Sequence, residues 1–130
     1  MRHVGYALLI AIAWSGLLLS SLTGEPAGHE SELEACRRLA PKYEAEVEVR
    51  LWDGTRCDLV TETEAIEVDW AQTPKWAEAI GQAQYYGITL GKRPAVLLLV
   101  RDLDREMRYV HRCAVVCAKL DMRLYVEEAD

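Results

Sequence analysis

Residues 54–87, GTRCDLVTETEAIEVDWAQTPKWAEAIGQAQYYG, decide how this chain folds and carry most of its chemically competent side chains. Just upstream, residues 45–51 alternate polar and apolar, with Val47, Val49 and Leu51 at every second position, the period of a half-buried strand. Asp53-Gly54 suits a two-residue type I′ turn. That turn pairs Trp52 with Thr55, Leu51 with Arg56, Val49 with Asp58 and Val47 with Val60. Asp58 then shares a face with three apolar side chains, a costly place for a carboxylate that lacks a partner or a metal.

The next strand is predicted over residues 65–70. A Thr63-Glu64 turn before it sets Val60 opposite Glu67 and Asp58 opposite Asp69. Opposed residues on one face bring their Cβ atoms to roughly 4.5–5.5 Å, so Asp58, Glu67 and Asp69 would crowd one patch and repel. A hard divalent cation held by oxygen ligands, Mg²⁺ first, relieves that repulsion. A slip of one residue would instead send Glu67 and Asp69 to the face opposite Asp58.

A helix follows, with Thr73 as N-cap and Pro74 at its first position. Lys75, Gln82 and Tyr86 fall within roughly 40° of one another on it, and Trp76, Ile80, Ala83 and Gly87 form the neighbouring stripe that packs on the sheet. Lys75 sits at the helix end where the macrodipole disfavours a cation, a local cost that hints at function.

An acid on one strand, Glu-x-acid on the next and Gln-x-x-x-Tyr on the following helix together resemble the PD-(D/E)xK, or restriction-endonuclease-like, nuclease superfamily. Asp58 matches the first acid, Glu67 the second, and Gln82 through Tyr86 the QxxxY element. The run KWAEAIGQAQYYG is similar to small bacterial and phage members. The resemblance covers roughly residues 30–130. It implies an α/β (α+β) fold with an α-β-β-β-α-β core, here extended by a helix and a strand on a mixed sheet. It also implies a Mg²⁺-dependent nuclease acting on DNA. Asp58, Glu67 and Asp69 would hold the metal, and Gln82 and Tyr86 would position the phosphate. The sequence departs from the pattern where the third motif expects lysine, since Asp69 stands there. Lys75 is the amine that would replace it from the helix, and without such a replacement the domain is an inactive relative. A first-helix glutamate approaches the metal in some members, which makes Glu32 and Glu34 candidates beside their simpler reading as solvated helix charges.

The chain has 130 residues, room for one domain and a small extra segment, and 51% hydrophobic residues, enough for a core. Its net charge of −6 does not favour nucleic acid globally. Arg2 and His3 precede an apolar run over residues 4–22, followed by small residues, as in a secretory signal or an uncleaved membrane anchor; a buried globular helix is the other reading. Charge asymmetry about this run places the following domain outside the cytoplasm, periplasmic, extracellular or membrane-anchored. Residues 1–24 are thus the targeting segment, 25–29 a linker and 30–130 the nuclease-like domain. An envelope or phage protein is the expected partner if the fold serves only for binding.

Ser31 and Glu34 mark a capping box for a helix that Pro41 should end. Residues 95–100 read as a strand buried on both faces. Residues 104–120 read as a helix with Leu103, Met107, Val110, Ala114 and Cys117 inward. Arg101, Arg105, Arg108 and Arg112 form a basic stripe, read as a solvated face paired with Asp102, Asp104 and Glu106, with phosphate neutralisation as the alternative. Residues 122–126 are a last strand before an acidic tail. Cys36, Cys57, Cys113 and Cys117 allow one or two disulfides under export conditions, with Cys113 and Cys117 pairing to Cys36 or Cys57. A His111, Cys113 and Cys117 metal set has no recognised spacing.

Overall fold

The computed structural model describes residues 29–130. The expected signal or anchor helix, with the domain boundary at residue 24, lies outside them. The elements are α1 (Glu32–Tyr43), β1 (Glu46–Arg50), β2 (Arg56–Val60), β3 (Glu64–Trp70), α2 (Lys75–Leu90), β4 (Arg93–Val100), α3 (Leu103–Lys119) and β5 (Arg123–Glu128). The order is the α-β-β-β-α-β-α-β predicted. The five strands form one mixed sheet in sequence order, antiparallel across β1, β2 and β3 and parallel from β3 to β5. Among the described residues no helix is long and apolar enough to cross a membrane.

Alternation along β3 and β4 sorts the core. Ile66, Val68, Trp70, Leu97 and Leu99 pack with Ala35, Cys36 and Leu39 of α1. Val96, Leu98 and Val100 pack on the other face, with α2 and α3. β4 is the hydrophobic spine: Ala95 through Leu99 are fully buried, as expected for a strand covered on both sides. Ser31 caps α1, and its capping box with Glu34 is formed in both directions. Pro41 does not end that helix. Only one N–H is lost there, and the helix runs on to Tyr43 before the Ala45 N–H returns to the Ala40 carbonyl at 3.0 Å.

Two hairpin registers differ from the sequence reading. Val49 pairs with Cys57 and Arg50 with Arg56, one residue off the predicted alignment. The loop holds three residues, not two: the Leu51 N–H bonds the Thr55 carbonyl at 2.8 Å, and Gly54 takes φ 86° after a tight turn. Such three-residue loops are the next most common hairpin solution. Trp52 is consequently at the tip, 85% exposed. Between β2 and β3 the turn is Glu62-Thr63, with the Thr61 N–H bonded to the Glu64 carbonyl at 2.9 Å and Leu59 opposite Ile66. Within β1, Glu48 adopts φ 51° and breaks the alternation. Val47 therefore joins the α1 side and Val49 the α2 side, so the predicted common face of Val47, Val49 and Leu51 does not form.

α2 begins one residue later than predicted. Pro74 is the N-cap, and its carbonyl accepts the Ala77 N–H at 3.0 Å, while Thr73 Oγ1 accepts from the Trp76 indole at 3.4 Å. Its buried stripe is Ala79, Ile80, Ala83, Tyr86 and Gly87. Gly87 sits hard against the start of β4, where an added Cβ would lie 2.9 Å from the Lys92 carbonyl oxygen and 3.0 Å from Pro94 N. Because both obstacles are backbone, Gly87→Ala should destabilise the fold by about 1–3 kcal/mol. Urea unfolding would report this as a lower midpoint at unchanged slope.

α3 is rotated from its predicted face. Val110, Cys113 and Cys117 are buried, whereas Leu103 and Met107 are 38% and 47% exposed along the groove beside β5. β5 extends to Glu128 and absorbs part of the expected acidic tail. All four cysteines are buried free thiols, which corrects the disulfide expectation. Cys36 lies in the α1 core, Cys57 with Leu51 and Tyr86, and Cys113 with Cys117 in the α2/α3 core, so packing separates the proposed partners. The Cys113 and Cys117 sulfurs are 3.8 Å apart, one helical turn along α3.

Candidate active site

β2 and β3 form ladder pairs at Val60↔Ala65 and Leu59↔Ile66, and beyond these a side chain replaces the next rung. Asp58 Oδ2 accepts the Val68 N–H at 2.8 Å, filling a backbone donor that β2 no longer reaches. Glu67 sits across from Asp58 in the register set by Leu59↔Ile66, with burial and then neighbouring charge raising the proton affinity of both. Two buried, facing carboxyls resist ionising together, so the pair favours protonation or a cation. Glu67 is 7% exposed and its Oε2 is buried without a hydrogen-bond partner.

Asp69 follows two residues along β3, on the same side of the sheet, 5% exposed, with Oδ1 accepting the N–H of Trp70 at 2.8 Å. The Lys75 ammonium, from the first residue of α2, lies 3.9 Å from that oxygen. The helix start that disfavours Lys75 locally is thus the position that brings it over the carboxylates. Glu32 reaches the same cluster from the first turn of α1, and its charge helps raise the proton affinity of Asp58, Glu67 and Asp69. Glu34 does not join: it is exposed and engaged with the Ser31 hydroxyl at 2.7 Å.

Burial is the largest cause of the unusual proton affinities. It pushes Asp58 up to about 7, aided by Glu32 and opposed by the Val68 N–H. Asp69 rises to about 8 through burial and Glu32, with Lys75 pulling the other way. Glu67 is pushed well above the ordinary carboxyl range by burial, then by Asp58 and Asp69. Tyr86 is buried beneath the cluster, its hydroxyl raised by burial and then by Glu67 and Asp58. Gln82, one turn earlier on α2, is half-buried.

The structure therefore gathers Asp58, Glu67, Asp69, Lys75 and Glu32 in one electrostatic neighbourhood, with Tyr86 below. Among the described residues no three His, Cys, Asp or Glu side chains form a ready metal cage. Asp58 with Glu67 is the close unit, and Asp69 stands off toward Lys75. The all-oxygen donor set and the orphaned Glu67 oxygen fit a hard cation that takes one or two carboxylates and completes its shell with water and substrate phosphate. Two features escaped the sequence reading. Glu48, at its positive φ, adds negative charge beside Asp58, and the Arg101 guanidinium lies 3.7 Å from the Trp70 ring centroid. Neither leaves a local signal, since both depend on partners distant in the chain.

Comparison with family models, curated proteins and solved structures finds no match to this chain.

Proposed function

We propose that this chain is a metal-dependent nuclease-like hydrolase of nucleic-acid phosphodiesters, delivered to its site of action by the apolar segment of residues 4–22. The facing, buried pair Asp58–Glu67 carries the reading: a couple of carboxyls at a split between strands, one oxygen of Glu67 without a partner, is expensive unless a cation joins it. Asp58 and Glu67 would hold Mg²⁺, with Asp69 and Glu32 adding negative charge around them. When bound, the ion polarises a phosphoryl oxygen and lowers the pKa of attacking water. Lys75, its side chain 27% exposed, meets incoming phosphate and offsets the negative charge that builds there. Tyr86 fixes the floor of the site, and Gln82 orients the substrate from the same helix.

The test is magnesium-dependent cleavage of single- and double-stranded DNA by the full chain. Asp58→Asn should abolish cleavage, and Lys75→Ala should slow turnover by about 10²-fold. Wild-type cleavage by Asp58→Asn removes the site; undiminished turnover in Lys75→Ala removes only the role of the amine. A second reading is an inactive binding module on the same scaffold, contacting an envelope or phage protein. It is favoured by the absence of a three-ligand cage among the described residues and by Asp69 at the third motif position. No cleavage, together with no effect of magnesium on melting, would select it.

A further inference from the structure

The outward face of α3 carries charge that its neighbours do not cancel. Arg105, Arg108 and Arg112 lie within about 60° of one another around the helix, and all three are exposed. Of the three acids expected to pair with them, Asp102 and Glu106 are engaged by the backbone, and Asp104 stands exposed one turn before Arg108 without forming an ion pair to it. Asp102 caps α3 through the Arg105 N–H at 3.2 Å and also pairs with the Arg105 guanidinium at 3.1 Å. Glu106 accepts the N–H groups of Arg101 and Asp102 at 2.7 and 3.0 Å. Arg108 lies over the Tyr109 ring, 4.8 Å from its centroid, and donates to the Tyr109 hydroxyl at 2.9 Å. Arg112 lies over the same ring at 5.9 Å. Among the described residues neither Arg108 nor Arg112 has a carboxylate partner.

An arginine stacked on an aromatic ring is held in place while its N–H edge stays available for bidentate phosphate binding. Residues 101–119 hold five basic and three acidic residues, a local positive balance in a chain of net charge −6. At 1.5 Å per residue, Arg105 to Arg112 spans about 10 Å, enough to meet two or more successive phosphates of one strand. The stripe begins at the same end of the sheet as the site. α3 starts beyond the carboxyl end of β4, which runs parallel to β3 and ends beside Asp69 and Trp70.

We infer that the Arg105, Arg108, Tyr109 and Arg112 face of α3 is a track for the phosphate backbone of a nucleic-acid strand that leads to the carboxylate site. This rests on the hydrolase reading for its destination, but its binding can be measured without catalysis. The full chain is titrated in EDTA with a fluorescein-labelled single-stranded oligonucleotide of about 20 nucleotides, from about 50 to 200 mM salt. In the Arg108→Gln/Arg112→Gln double variant the dissociation constant should rise about tenfold at the lowest salt, and the log–log salt slope should shrink by about 1.4. Arg108→Lys/Arg112→Lys should keep most of both, which separates charge from folding. Equal affinity and slope in wild type and the Gln variant overturn the track, even if cleavage is intact. Loss of binding in the Gln variant with no cleavage in wild type keeps the track and removes the hydrolase. Polyglutamate competing as well as DNA at matched charge would overturn it in favour of an acidic protein partner.

Discussion

Glu67→Gln should abolish magnesium-dependent cleavage and at the same time make the metal-free protein harder to melt. The substitution keeps size and removes charge. Glu67 is almost fully buried, carries an oxygen without a partner, and is opposed by Asp58, Asp69 and Glu32. Removing that repulsion should stabilise the fold at pH 8 by about 1–3 kcal/mol, or roughly 5–15 °C in Tm for a domain near this size. Losing one of the two carboxylates proposed to hold the cation would remove several kcal/mol of charge stabilisation, about 10³-fold or more in rate. Opposite movement of stability and activity is the mark of a site built at the expense of the fold. A variant that melts lower and cuts normally would mean that Glu67 is structural. Differential scanning fluorimetry in EDTA, alongside the cleavage assay, reads both quantities.

The second large effect is a fall in stability with rising pH. Asp58 and Asp69 bind protons in the folded state up to about 7 and about 8, against an ordinary value of 3.8, and Glu67 shifts in the same direction. Between those limits the folded chain holds more protons than the unfolded one, so stability must drop as pH rises. The contribution is complete below about pH 4 and is lost as pH climbs through 7 and 8. Carboxyls shifted the other way, Glu30, Glu34, Asp53 and Glu127, act only at the acid end. The buried thiols of Cys36, Cys57 and Cys113, raised from their ordinary value, act only near pH 9 and above, so the window from pH 5 to 8 belongs to the site. Melting in EDTA across that window should fall by at least about 2 kcal/mol. Magnesium should restore the loss at the alkaline end, by about 2.7 kcal/mol at a hundredfold excess over its dissociation constant. A flat or rising profile in EDTA would contradict the buried, mutually repelling carboxyls.

How legible this arrangement was depends on how local each cause is. The Ser31–Glu34 box, the apolar run of β4 and the packed stripe of α2 are set by neighbours within one turn or one strand, and they form as read. The order of elements follows from them. The hairpin registers are different. Asp53-Gly54 is compatible with both a two- and a three-residue loop, and in the three-residue loop that forms Leu51 is buried with Cys57 and Tyr86. The second hairpin shifts by an even total, which keeps Asp58 and Glu67 on one side while changing the residue opposite Asp58 from Asp69 to Glu67. The candidate site was thus readable as a set of side chains, and misread in its pairing.

Periodicity, capping pattern and residue chemistry dictated an acid-bearing hairpin followed by an amphipathic helix, because those signals act over a few residues. Tertiary packing alone decided which carboxyls face each other, that Glu32 joins them and Glu34 does not, and that Cys36, Cys57 and the Cys113–Cys117 pair lie in separate cores. Each of those outcomes depends on groups brought together by the sheet from far apart in the chain, and the energy of a buried charge is set by whatever stands beside it.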